Sequence, residues 1–224
     1  MMYKTIKIKA AIFDFDGTLV DSESLYTKAL IHTSNEMNVL KDVDFKSLAG
    51  FQTKDIDNIL KKECHYIPDN FFKSAEMYFH KIIETDLETF DGVMETLERL
   101  KNINIVIASN SNINYVRKMS DKKGISKYIK DYSCYNGELK AKPEPDLFLN
   151  AFELLKKLDG NIKKEDVIIF EDSLAGVIGA KKTGIVTAAI TNSYSKEILL
   201  ENGADIVLNR IDEIFNYIEI IKDL

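Results

Sequence analysis

Two aspartates, Asp14 and Asp16, stand one residue apart in the stretch AIFDFDGTLVDSE, directly after an apolar run and directly before Gly17 and Thr18. Close carboxylates repel, so the arrangement asks either for a turn that they cap or for a cation that they share. Three further segments carry polar residues of matching chemistry: SNS at Ser109–Ser111, Lys142 in KAKPEPDLF, and EDS at Glu171–Ser173. Taken singly, most have a plain structural explanation. Asp16 before Gly17 suits a turn, Asp172 or Ser173 could cap a helix beginning near Leu174, and Ser109 or Asn110 could cap the helix that carries Tyr115 and Val116. Lys142 fits less easily. Pro143 and Pro145 open the next helix, and a cation at a helix N-terminus faces the unfavourable end of its dipole. An anion beside the lysine would resolve this, whether the aspartates, a phosphate or both. Together, the carboxylates suit a hard, oxygen-seeking cation, Mg²⁺ by preference. The lysine, the serine hydroxyl and backbone N–H groups suit the phosphate oxygens that the metal leaves uncovered.

These residues need a scaffold that brings distant segments to one place. Short apolar runs recur at Ile8–Phe13, Ile103–Ala108, Asp166–Phe170, Ile185–Ile190 and Asp205–Leu208. Their near-continuous Val/Ile content, without polar alternation, predicts strands covered on both faces. Stretches of helical spacing lie between them, including DGVMETLERLK, NINYVRKMSDKKG, PDLFLNAFELLKKL and LAGVIGAKKTG, the last with Gly184 as a helix stop. Strand alternating with helix predicts an α/β fold with a doubly wound parallel sheet, whose ligand site lies at the carboxyl ends of the strands. The polar residues all fall at or just beyond those ends.

From Ser22 to Glu88 the alternation stops and the spacing is helical throughout. That is too long for an ordinary crossover, so residues 21–88 are expected to form an inserted α-helical domain, and residues 1–20 and 89–224 the α/β core. Phe71, Phe72, Tyr78 and Phe79 are expected to pack the insert's own core.

The 224 residues are 45% hydrophobic and 29% charged, enough for one sizeable core and an appendage. A net charge of −6 argues against a nucleic-acid partner, and no apolar stretch approaches the ~18 residues of a membrane span. The lysines interleaved through MMYKTIKIKAAIF do not read as a signal peptide. Cys64 and Cys134 form neither a disulfide framework nor a zinc site, and a reducing, cytoplasmic setting is expected. His32, His65 and His80 lack metal-ligand spacing and read as surface or packing residues. The chain is expected to act as a monomer on a small molecule.

The four polar segments, in this order, resemble the motifs of the haloacid dehalogenase superfamily, in its phosphatase and phosphoglucomutase-like branch with a helical cap. DFDGTLVDSE resembles the first motif, VIASNS the second, KAKPEPDLF the third and IIFEDSLAGVIGAKKTG the fourth, so that the resemblance covers essentially the whole chain. It implies a Rossmann-like core, with Asp14 as a nucleophile that forms an aspartyl-phosphate. Asp16 would protonate the leaving alcohol and then deprotonate the hydrolytic water. Mg²⁺ would be held by the Asp14 carboxylate, the Asp16 backbone carbonyl and Asp172, with Glu171 close by. Ser109, Asn110 and Lys142 would bind phosphate, supported by Gly17 and Thr18. In the inserted cap, the loop after Gly50 with Lys54, together with Tyr26, would read the substrate. Where the sugar phosphomutase members place an arginine this chain has Thr53 and Lys54, and where they place a histidine it has Tyr26.

The expected function is a Mg²⁺-dependent phosphatase acting on a sugar phosphate or similar phosphomonoester. The alternative is β-phosphoglucomutase-like transfer between sugar hydroxyls; more remote is a non-enzymatic receiver-like phospho-aspartate switch. A dehalogenase would need neither Asp16 as an acid nor a magnesium site.

Overall fold

A computed structural model describes residues 5–48, 53–63 and 65–221. In the first half the order is β1 (Ile6–Ile8), β2 (Ala10–Phe13), α1 (Ser22–Met37), α2 (Thr53–Lys62), α3 (Phe71–Asp86), α4 (Val93–Leu100), β3 (Asn104–Ser109) and α5 (Ile113–Lys122). Then follow β4 (Asp131–Cys134), α6 (Asp146–Leu158), β5 (Val167–Glu171), α7 (Leu174–Thr183), β6 (Val186–Ile190), α8 (Lys196–Glu201), β7 (Ile206–Leu208) and β8 (Ile218–Ile220). Among these, no helix is long and apolar enough to cross a membrane. Contacts divide the chain into two units, Met1–Val20 with Thr89–Leu224, and Asp21–Glu88.

The first unit is built on a six-stranded sheet of order β4-β3-β2-β5-β6-β7, parallel at every pairing. From β2 the chain runs to β3 and β4 on one side, then returns to add β5, β6 and β7 on the other. This is the expected doubly wound α/β sheet, with its order reversing at β2. All four residues of β2 and all five of β5 are buried, which explains the unbroken apolar runs Ala10–Phe13 and Val167–Phe170. The rings of Phe13 and Phe170 stack across the β2–β5 pair at 4.3 Å. On one face Phe148, Ala151, Phe152 and Leu155 of α6 pack with Ile12, Val106 and Ile169.

Two parts of this unit differ from the sequence expectation. The run Ile8–Phe13 is split at Lys9, and β1 leaves the main sheet to pair in parallel with β8. The fourth strand, DYSC, is polar because it lies at the sheet edge and pairs only with β3.

In the second unit α1 and α3 enclose, with α2, a core of Leu30, Leu40, Phe45, Ile56, Leu60, Phe71 and Ala75. Phe72 packs edge-on to Phe71, Phe79 edge-on to Tyr26, and His32 stacks on Tyr78 at 3.6 Å. Asp21 caps α1, accepting from Ser24 N–H. Its own N–H donates to the Glu88 carbonyl at 2.9 Å, and the adjoining Val20 and Thr89 form an antiparallel bridge in the first unit.

Candidate active site

The strand register sets the level at which the polar residues appear. Phe13 pairs with Ile107 on one side and Phe170 on the other. Asp14 is therefore one step beyond the paired core, level with the ends of β3 and β5, and its N–H still donates to the Phe170 carbonyl at 2.9 Å. Ser109 ends β3, and Glu171 ends β5 with Asp172 following.

Lys142 reaches this edge from the loop before α6. Its Nζ donates to Asp14 Oδ1 and, at 2.6 Å, to Glu171 Oε1, and lies 4.7 Å from the centre of the Phe148 ring. The lysine is only 4% exposed, so the anion expected beside it is a pair of carboxylates. Burial pushes the Asp14 carboxyl well above the usual carboxylate range; Lys142 opposes this, while Glu171 and Asp172 add to it. For Lys142, burial favours the neutral amine, but Asp14 and Glu171 outweigh it and hold the ammonium above its ordinary value. The two directions have different causes: burial dominates for Asp14, and the two facing carboxylates dominate for Lys142.

Glu171 is fully committed. Its Oε1 accepts from Lys142, and its Oε2 accepts from the N–H groups of Asp172 and Ser173 at 2.8 Å and the Ser173 hydroxyl at 3.0 Å. The same Ser173 hydroxyl accepts from Gly176 N–H and caps α7. Gly176 is dictated by this packing, since a Cβ there would stand 1.9 Å from the Glu171 carboxylate.

Asp172 is wholly buried and held by neutral donors: Thr18 Oγ1 at 2.8 Å and Ser193 Oγ at 2.5 Å. Gly17 turns the chain beside it with φ +86°, a region that favours glycine, and a Cβ there would meet Asp172 Oδ2 at 2.3 Å. Asn192, next to Ser193, donates to the Gly17 carbonyl at 2.7 Å.

Asp16 stands in different surroundings. It is half-buried, Ser111 Oγ donates to its Oδ2 at 2.6 Å, and the Tyr115 hydroxyl donates to its Oδ1 at 2.9 Å. Ser109 is buried, its hydroxyl accepting from Ser111 N–H at 3.0 Å. The Asn110 side-chain oxygen accepts from Lys142 N–H at 2.9 Å and so ties the loop after β3 to the loop that carries the lysine. Neither Ser109 nor Asn110 caps α5; Asn112 does, accepting from Asn114 N–H. At the end of β4, burial pushes the Cys134 thiol up to about 12, which disfavours its thiolate.

Asp14, Glu171 and Asp172 each present an oxygen within 4.8 Å of the others, all buried. An oxygen-only donor set that is short of positive charge fits a hard divalent ion. The hydroxyls of Thr18 and Ser193 orient the Asp172 carboxylate from behind, as ligand-supporting groups do.

The sequence shows Ser111 within the SNS segment but assigns it no role, and it does not single out Tyr115, Gly176, Asn192 or Ser193 as site residues. Asn192 and Ser193 were findable, for they follow β6, one more strand end on the same edge. Of the residues singled out in the insert, Gly50 lies outside the described residues. Lys54 is exposed on α2, and the Tyr26 hydroxyl is hydrogen-bonded to Thr53 Oγ1 at 2.8 Å.

The profile of a family described as haloacid dehalogenase-like hydrolase matches residues 11–190. A phosphorylated carbohydrates phosphatase of Thermotoga maritima is 28% identical over 220 residues, spanning 95% of this chain and 99% of the relative. A beta-phosphoglucomutase of Mycobacterium bovis is 24% identical, covering 93% of this chain and 92% of its own. Among solved structures, a haloacid dehalogenase-like protein of unknown function from Agrobacterium tumefaciens superposes with a TM-score of 0.77 at 25% identity, over 92% of this chain and 96% of that one.

Proposed function

The chain belongs to the haloacid dehalogenase-like hydrolase family, and from that premise we propose that it is a Mg²⁺-dependent phosphatase of small phosphorylated metabolites, sugar phosphates first among them. The observation that carries this reading is the buried triad of Asp14, Lys142 and Glu171 at the edge of the sheet. A lysine anchored by Glu171 lies against the one carboxylate of the Asp-x-Asp pair that would attack; it orients that carboxylate and opposes its protonation.

An oxygen of Asp14 attacks phosphorus as the bond from phosphorus to the ester oxygen breaks. The bonding pair goes to that oxygen, which takes the proton of the Asp16 carboxyl group and departs as an alcohol. Water then attacks the aspartyl-phosphate and gives its proton to Asp16. The bond between phosphorus and Asp14 breaks, releasing inorganic phosphate and restoring both side chains. Ser109 and Lys142 hold the phosphoryl oxygens through these steps. Held by Asp14, Asp172 and the Asp16 carbonyl, Mg²⁺ would supply the positive charge that offsets repulsion between a carboxylate and a phosphate dianion.

The name of the Thermotoga relative supports a carbohydrate phosphate as substrate, and that of the Mycobacterium relative supports phosphoryl transfer between sugar hydroxyls as the second reading. A panel of several dozen phosphorylated metabolites, assayed with Mg²⁺ for inorganic phosphate, separates them. Steady release from hexose or pentose phosphates is the expected result. Isomerisation that needs a bisphosphate primer and frees no phosphate would favour the mutase, and a long-lived phospho-aspartate without turnover would overturn both.

A further inference from the structure

We propose that Tyr115, together with Ser111, is a positioning residue for Asp16 that orients its carboxyl group toward the leaving oxygen; the inference rests on the phosphatase reading above. The geometry is specific to the second aspartate. Ser111 and Tyr115 flank the N-cap of α5, and their hydroxyls take the two carboxylate oxygens separately, Oδ2 at 2.6 Å and Oδ1 at 2.9 Å. The tyrosine is itself gripped by the same motif, because its ring stands edge-on to Phe15, the buried residue between the two aspartates, at 6.2 Å and 86°. Asp16 is thus clamped by a helix turn that is anchored to its own neighbour.

The chemistry of the partners matches the task. A group that gives up a proton in one step and regains it in the next needs neighbours that accept both of its forms. A hydroxyl donates to a carboxylate and, rotated, accepts from a carboxylic acid, whereas lysine or arginine only donates. Asp14, which must be charged before it attacks, is instead held by Lys142. The chain therefore uses a cation where charge is required at the outset and hydroxyls where a proton comes and goes.

The test is a single-turnover measurement of leaving-group release from two esters, p-nitrophenyl phosphate and the best alkyl phosphate of the panel. The alkoxide needs a proton and the nitrophenolate does not. Tyr115→Phe keeps the ring against Phe15 and removes only the oxygen. It should slow release from the alkyl ester by about tenfold or more, with KM within about twofold, and slow the aryl ester by less than about threefold. Added to Asp16→Ala, which should keep a measurable rate on the aryl ester because that leaving group needs no proton, it should cost nothing further. Ser111→Ala should give the same split with a smaller loss, and it replaces the tyrosine variant if that protein does not fold. Equal losses on both esters, no loss, or an added loss in the Asp16→Ala background would overturn the proposal while the phosphatase reading stands. If the wild-type protein releases neither leaving group, both fall together.

Discussion

The α/β unit and the helical unit treat charge in opposite ways. Among the described residues, the buried charged side chains are Asp14, Lys142, Glu171 and Asp172, all in the α/β unit; the helical unit buries only the hydroxyls of Ser22, Thr27, Thr33 and Ser34. Its charges pair at the surface instead, as in Lys28–Asp86 at 2.8 Å and Lys61–Asp57 at 2.6 Å. Such exposed pairs contribute about 0–1 kcal/mol. Taking an ion out of water costs several kcal/mol, which an ion pair only partly offsets. Four buried charges gathered on one edge of the sheet therefore carry a cost in stability, the pattern by which a candidate functional site is picked out. The helical unit, held by aromatic and aliphatic packing, carries no such cost.

The strongest test of that contrast is Asp14→Asn. Removing the nucleophile should lower phosphate release by about 10⁴-fold or more. The circular dichroism and melting temperature should stay close to wild type, because Lys142 keeps Glu171 as its partner. Activity near the wild-type level would end the nucleophile assignment.

Next come two substitutions of similar size and different character. Lys142→Met leaves two buried carboxylates without their cation and should cost about 3–5 kcal/mol at neutral pH. The cost should shrink in acid, where those carboxylates take up protons. Phe71→Ala in the helical unit should also cost about 3–5 kcal/mol, from lost contacts and a cavity, but with no dependence on pH. Urea denaturation across a pH series distinguishes them, and parallel curves would remove the contrast.

A smaller effect concerns the metal. Burial raises Asp14 above its ordinary 3.8, so the folded chain holds that proton better than the unfolded one. This group therefore favours folding most below its unfolded value, and the contribution is lost as pH rises through its raised folded value. On the proposed reading Mg²⁺ would replace the proton, so it should raise Tm more at neutral pH than in acid. At a hundred times its Kd the gain is about 2.7 kcal/mol. Asp172→Ala should remove most of that gain and raise the Mg²⁺ needed for turnover; an unchanged titration would take Asp172 out of the metal site.

The smallest effect has an inverted sign. Alanine in place of a helical glycine ordinarily stabilises by about 1 kcal/mol. Gly176→Ala should instead destabilise by about 1–3 kcal/mol, because the new Cβ would stand 1.9 Å from the carboxylate of Glu171. A stabilised variant would mean that Glu171 is not pressed against α7.

How much of this was legible beforehand follows from the physics of each part. Strands covered on both faces must be apolar throughout, so β2, β3, β5 and β6 stood out in the sequence, and Gly184 marked the end of α7 because it adopts the left-handed conformation there. β4 did not, since an edge strand tolerates the polar DYSC. The pairing of β1 with β8 joins opposite ends of the sequence through three residues each, too few for a pattern to form. Lys142 was conspicuous because a cation before a helix demands an anion. Ser111 and Tyr115 were silent, because neutral hydroxyls clamping a carboxylate leave no imbalance of charge to notice.

The insertion enters and leaves through a doorway one residue pair wide, where Val20 bridges Thr89 on one side and Asp21 bonds Glu88 on the other. Seen from the sheet, the sixty-eight residues between are a long way round a very short gap. Any segment whose two ends meet at hydrogen-bonding distance would close it equally well. The register of the sheet is therefore independent of how long the inserted stretch is.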